Sequence, residues 1–145
     1  MKLIKILLIC LTFMFSIAIT ASDSVINIEV NIILAKQDEA GTDTRLKELS
    51  VKLQKFLKFA SYRLISSQEI SPTTGDTTNI SIPGKQIFSL SLLRKENNQV
   101  TIKIENTGLN SFETVIRLKE NGTFLLKGPS IKEGDIILSI KLLPQ

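Results

Sequence analysis

Most of the chain after residue 24 consists of short segments in which apolar and polar residues alternate. In residues 25–34, one side carries Ile26, Ile28, Val30 and Ile32, while the residues between them share no single character. A period of two with one apolar side predicts a β-strand. Similar alternation returns repeatedly after residue 60, so we expect one N-terminal strand and about six later strands.

One segment, residues 44–59, has a helical period instead. Apolar residues follow one another at steps of three or four, which predicts a single amphipathic helix. Thr42 or Asp43 is suitably placed to cap its start. The apolar stripe consists of Leu46, Leu49, Leu53, Phe56, Leu57 and Ala60.

This order of elements predicts an α+β domain. One helix cannot cover both faces of such a sheet, so we expect a strongly bent antiparallel sheet, or a small sandwich or half-barrel, with the helix on one side. Two turns are also predicted: a type II turn at Pro83-Gly84 and a hairpin at Asn121-Gly122. A single core should bury the helix stripe with three strands, through Leu49, Leu53, Phe56, Ile102, Ile116 and Leu138.

The first 21 residues have the layout of a secretory signal peptide. Lys2 and Lys5 precede an apolar run of 14 residues, 6–19, and small residues follow it. A membrane-spanning helix needs about 20 apolar residues, so a cleaved signal is favoured over a retained anchor. We expect cleavage near Ala21, within 18–22, and export to the periplasm or the extracellular space. Residues 22–145 would then form one domain.

Composition narrows the chemistry that the mature domain can perform. The only cysteine is Cys10, within the signal, and the chain has no histidine or tryptophan. Without a histidine base, a thiolate or a soft metal ligand, we expect no hydrolase, thiol enzyme or zinc site. We therefore expect no enzyme activity, no catalytic residue, no cofactor and no metal. Carboxylate pairs that meet only in the fold stay open as an alternative.

Charge identifies one candidate interaction surface. Removal of Lys2 and Lys5 lowers the net charge from +4 to +2, which does not argue for a nucleic-acid partner. Residues 45–63 nevertheless contain six basic residues and one acid. An ordinary solvated helix face would explain this bias. The candidate surface consists of Lys47, Lys52, Lys55, Lys58 and Arg63.

Two functions from different classes fit these observations. The first is a non-catalytic envelope protein, a binding or scaffolding domain that recognises another envelope protein through a sheet edge or the basic helix. The second is a binder of an anionic ligand, a glycan or a membrane surface through the basic helix face, with the membrane the less favoured partner. The oligomeric state is left open.

Several stretches carry a family resemblance. These are residues 43–46 (Asp-Thr-Arg-Leu), 61–64 (Ser-Tyr-Arg-Leu), 81–84 (Ser-Ile-Pro-Gly) and 124–129 (Phe-Leu-Leu-Lys-Gly-Pro), with Leu53, Phe56 and Leu57. Together they resemble a group of small exported, periplasmic-type bacterial proteins without an established activity. The resemblance implies an envelope location in a Gram-negative-type bacterium, and it transfers no functional residue to this chain.

Overall fold

A computed structural model of the chain describes residues 25–38, 40–108 and 111–145. The predicted signal segment, 1–21, and its cleavage site near Ala21 lie outside these residues. The described residues form β1 (Ile28–Lys36), β2 (Gly41–Thr42), a 3-10 turn (Thr44–Leu46), α1 (Lys47–Phe56), β3 (Ser61–Ile70), β4 (Thr77–Ile82), β5 (Gln86–Glu96), β6 (Gln99–Asn106), β7 (Phe112–Lys119), β8 (Thr123–Ile131) and β9 (Gly134–Leu142).

The strands form two sheets. One has five strands in the order β2-β3-β1-β9-β8, and the other has four in the order β4-β5-β6-β7. Neighbouring strands are antiparallel, except that the two residues of β2 run parallel to β3. The antiparallel, sheet-rich part of the prediction is confirmed. The α+β class and the count of about six strands are not, because the described domain is mainly β and seven strands in two sheets follow α1.

The inner faces of both sheets share one hydrophobic core. Val30 and Leu138 from the five-stranded sheet lie in the same buried cluster as Phe88 and Ile102 from the four-stranded sheet. The alternation seen in the sequence produces this arrangement, since it gives most strands one apolar side. The result is a sandwich of two sheets.

The helix packs on the opposite, outer face of the five-stranded sheet and has a core of its own. Leu53 and Leu46 are buried there against Ile33 and Ile137. The expectation of one common core was therefore wrong, since Ile102, Ile116 and Leu138 belong to the core between the sheets. β1 and β9 are covered on both faces beneath the helix, and residues 32–35 and 136–138 are accordingly apolar on both sides.

Phe56 was also predicted to be buried, but it is 67% exposed. The predicted helix extended to residue 59, whereas α1 ends at Phe56 and Leu57 is already extended, with φ −129° and ψ 109°. After this early end, Leu57 and Phe59 fold back onto the core beneath the helix. Phe56 is thereby left at the solvent-exposed end of α1.

The two predicted turns have different outcomes. At Pro83-Gly84 the glycine has a positive φ of +93°, as predicted, but the turn between β4 and β5 also includes Lys85, with φ +58°. Asn121-Gly122 also forms a tight turn, with Asn121 at φ +62° and the Gly122 N–H 2.7 Å from the Lys119 carbonyl oxygen. It does not form a hairpin, however, because it joins β7 in one sheet to β8 in the other.

Candidate functional site

All five residues of the predicted basic surface are exposed, but they do not form one surface. Arg63 pairs with Leu34 across β3 and β1, and Leu34 points into the core between the sheets. Cross-strand partners have side chains on the same face. Arg63 therefore lies on the opposite face of the sheet from α1 and its lysines.

The lysines of α1 point into different surroundings. Lys52 lines a groove between α1 and the sheet, whereas Lys47 lines a separate hollow on the other side of the helix. Lys55 lies over the exposed ring of Phe56, with its Nζ 5.5 Å from the ring centre, within the range of a cation–π contact. Lys58 follows the helix.

The edge of the five-stranded sheet beside β3 carries a second candidate site. β1 pairs with β3 along its whole length, but β2 covers only Ser61 and Tyr62 on the other side. Among the described residues, no strand pairs with that side of residues 63–70. β3 therefore presents a long edge that is mostly open.

Two side chains cap the beginning of this edge. Asp43 Oδ2 accepts a hydrogen bond from the Leu64 N–H at 3.4 Å, and Arg45 Nη2 donates to the Leu64 carbonyl at 3.3 Å. The same two side chains form an ion pair with Nη2 and Oδ2 2.6 Å apart. Hydrogen bonds from Arg45, and the smaller charge attraction between them, hold the pKa of Asp43 well below its ordinary value. The pair thus replaces a neighbouring strand at Leu64.

The register shows which peptide groups further along the edge stay open. The peptides of Tyr62 and Leu64 face away from β1, since they bond to residues 43 and 45. Their partners on β1 are Ala35 and Ile33, and peptide direction alternates along a strand. Towards the start of β1, the next residues whose peptides point the same way as those of Ala35 and Ile33 are Asn31 and Glu29. They pair with Ser67 and Glu69. The peptides of Ser67 and Glu69 therefore also face outwards.

The sequence also contains a feature that is typical of an open sheet edge and that alternation does not reveal. Residues 66–69 read Ser-Ser-Gln-Glu, four polar residues in succession within a strand. A strand that is polar on both sides contacts solvent on both sides, and all four residues are exposed. Ile65 is an extra residue in the register, a β-bulge between Leu64 and Ser66, so it bends the strand just before the open part.

Tyr62, the only tyrosine of the chain, has a structural position. Its ring is buried beneath α1, and its hydroxyl lies among the Leu53 and Leu57 carbonyls and the Phe59 N–H. It therefore fixes the end of the helix against β3 rather than contacting a ligand.

Further features of the described residues bear on the chemistry. They contain no group of three or more acidic, histidine or cysteine residues placed to hold a metal ion. They also contain no helix with the length and apolar character needed to cross a membrane.

No family model, no curated protein and no solved structure matches the chain. The resemblance to small exported bacterial proteins therefore stays a prediction.

Proposed function

We propose that the chain is an exported, non-catalytic domain of the bacterial envelope that binds another protein along the open edge of β3 at residues 66–70. The observation that carries this proposal is the pair of outward peptides at Ser67 and Glu69. In β-strand addition, an extended segment of the partner supplies hydrogen bonds to such peptides, and its side chains provide specificity.

Two of the other sheet edges, β7 and β8, are better protected. Natural proteins protect sheet edges with charges, prolines or short strands. β8 contains Pro129, and β7 carries Glu113, Arg117 and Lys119. Residues 66–70 contain no proline and a single charge, so they are less protected than β7 and β8. β4, with six residues and neither proline nor charge, is a second open edge among the described residues.

The cap at Leu64 and the bulge at Ile65 limit where a partner can begin. The Asp43–Arg45 pair already satisfies the Leu64 peptide, and the bulge interrupts the regular spacing of the strand. An incoming strand would therefore pair first with Ser67 and Glu69. The site is short, so we expect binding that also needs side-chain contacts.

The test uses two substitutions at one position. Ser67→Pro removes the outward N–H without removing a ladder bond to β1, whereas Ser67→Ala removes only the hydroxyl. Partners captured from an envelope extract by the wild type and Ser67→Ala, but lost with Ser67→Pro, would support the proposal once reciprocal capture by the identified protein shows the same pattern. Equal capture by all three variants would contradict it.

A second function is favoured by a specific observation on α1. Val51 and Phe56 are large apolar residues that are 71% and 67% exposed, and they lie among Lys47, Lys52 and Lys55. Lysines combined with exposed apolar residues on a helix are typical of contacts with anionic membrane surfaces.

Vesicles with and without anionic phosphatidylglycerol test this second function. Binding should require the anionic lipid, weaken as salt rises and fall with Phe56→Ser or Lys55→Glu. The matched control is Lys119→Glu on β7, away from α1. Vesicle binding that is insensitive to salt and to both α1 substitutions would exclude membrane binding through α1.

A further inference from the structure

Two polar side chains are buried on the outer face of the five-stranded sheet, beside a row of apolar residues. Asn31 on β1 and Ser139 on β9 lie directly opposite each other and are 8% and 1% exposed. The next row towards the helix core, Ile33 and Ile137, is fully buried and apolar. Asn31 and Ser139 line a groove of about 260 Å³ between the sheet and α1.

The row on the other side continues the polar character of this groove. Lys141 on β9 lies between Glu29 on β1 and Thr123 on β8 in the strand register. Glu29 holds the Asn31 amide, since Asn31 Nδ2 donates to its Oε1 at 2.8 Å. The sheet thus contributes hydroxyl, amide, carboxylate and ammonium groups to one face of the groove.

The opposite wall comes from the helix and its entry turn. Leu46 and Leu49 provide an apolar surface, and Lys52 and Glu48 stand at the opening. Arg45 also reaches the groove, but its guanidinium is committed to Asp43 and the Leu64 carbonyl.

The cations that remain for a ligand are Lys52 and Lys141. Lys141 Nζ lies 3.9 Å from Glu48 Oε2, and the Glu48 side chain is 95% exposed. A long ion pair to an exposed carboxylate is weak, so an incoming anion can replace it.

We infer that this groove binds an acidic saccharide, a hydroxyl-rich ring that carries a carboxylate. Sugar hydroxyls both donate and accept hydrogen bonds, and they match the mixed set of Ser139, Asn31, Thr123 and Glu29. The carboxylate matches Lys141 and Lys52 through charge-assisted hydrogen bonds. The groove lies just below the ~300 Å³ at which sites for drug-sized ligands begin, so it suits one or two rings. The inference is independent of the β3 edge.

Titration of the mature protein, followed by two-dimensional NMR, tests this inference with three probes. Glucuronate carries both features, glucose carries only the hydroxyls, and acetate carries only the carboxylate. We expect glucuronate alone to shift the amide signals of residues 139 and 141, with affinity reduced about fivefold or more in Ser139→Ala and in Lys141→Gln.

Two further variants show whether charge acts in the groove itself. Glu48→Gln removes the competing acid, so it should tighten glucuronate binding about twofold to fivefold. Lys47→Gln changes a lysine of the same helix that lines a different hollow, and it should have no effect.

Each alternative outcome contradicts the inference. Equal amide shifts with acetate would show that the groove binds small anions without recognising sugar hydroxyls. Equal amide shifts with glucose would show that the lysines do not contribute to binding. Absence of shifts with all three probes would leave the groove without this ligand. An effect of Lys47→Gln equal to that of Lys141→Gln would indicate attraction by net charge alone. Ser67→Pro should leave glucuronate binding unchanged, which separates this result from a failure of the proposed protein partner.

Discussion

The hydroxyl of Tyr62 lies 3.1 Å from the carbonyl oxygen of Leu53 and joins the last turns of α1 to β3. The same hydroxyl accepts a hydrogen bond from the Phe59 N–H at 3.2 Å. Because the helix ends at Phe56 and the chain turns back at once, three polar groups meet beneath it. The buried Tyr62 side chain thus provides a hydrogen-bond partner for backbone groups at the point where the helix meets the sheet.

Replacement of Tyr62 by phenylalanine should keep the ring packing and remove these bonds. We expect a loss of about 0.5–1.5 kcal/mol in the free energy of unfolding, because the Leu53 carbonyl keeps its bond from the Leu57 N–H. Urea denaturation measures the loss. An unchanged midpoint would show that the hydroxyl contributes nothing at this position.

The helix core predicts a contrast between two apolar residues three positions apart. Leu53→Ala should cost about 2–5 kcal/mol, since Leu53 is fully buried. Phe56→Ala should stay within about 0.5 kcal/mol of wild type, as expected for an exposed side chain. Urea melts of both variants measure the contrast, and equal losses would mean that Phe56 packs against the domain.

The cap on β3 predicts a dependence of stability on pH. The folded-state pKa of Asp43 is lowered, chiefly by hydrogen bonds from Arg45, so its stabilisation is complete above the unfolded-state pKa of about 3.9 and declines as the pH falls towards the folded-state value. Asp43→Asn should therefore lower the urea midpoint most at neutral pH. Below about pH 3 the difference from wild type should shrink. A difference that grows on acidification would contradict this assignment.

Two glycines predict different costs for the same substitution. A Cβ on Gly134, at φ +150°, would lie 2.4 Å from the Ala35 carbonyl oxygen, whereas a Cβ on Gly75, at φ +90°, meets nothing within 4 Å. Gly75→Ala should cost about 1–2 kcal/mol through backbone strain alone. Gly134→Ala should cost about 1–3 kcal/mol more, because the steric clash adds to the strain. Equal thermal melting points for the two variants would show that the clash is relieved without cost.

Alternation predicted most of the strands because most strands have one face in the core between the sheets. It could not predict which strands pair, since this depends on contacts far apart in the chain. Asn121-Gly122 illustrates the difference: the local turn formed as its residues indicate, but β8 pairs with β9 rather than with β7. The residues of a tight turn determine the local direction of the chain, whereas packing in the core determines which sheet the next strand joins.

The helix core was only partly visible in the sequence. Successive apolar residues at Ile32-Ile33-Leu34 and Ile136-Ile137-Leu138 indicate strands covered on both faces, and those are the strands beneath α1. The exposure of Phe56 depends on an early helix end that the apolar stripe does not reveal. Lysine spacing likewise could not show that Arg63 faces away from the helix, because this follows from its pairing with Leu34.

Amide hydrogen exchange at β3, measured by NMR on the isolated protein, tests the central claim most directly. If the edge is open, the N–H groups of Ser67 and Glu69 exchange rapidly, while that of Gln68, which faces β1, is protected as part of the sheet. Binding of the partner should then slow exchange at Ser67 and Glu69 and leave Gln68 unchanged. Strong protection of Ser67 and Glu69 in the isolated domain would contradict the account, because it would show that this edge is already covered.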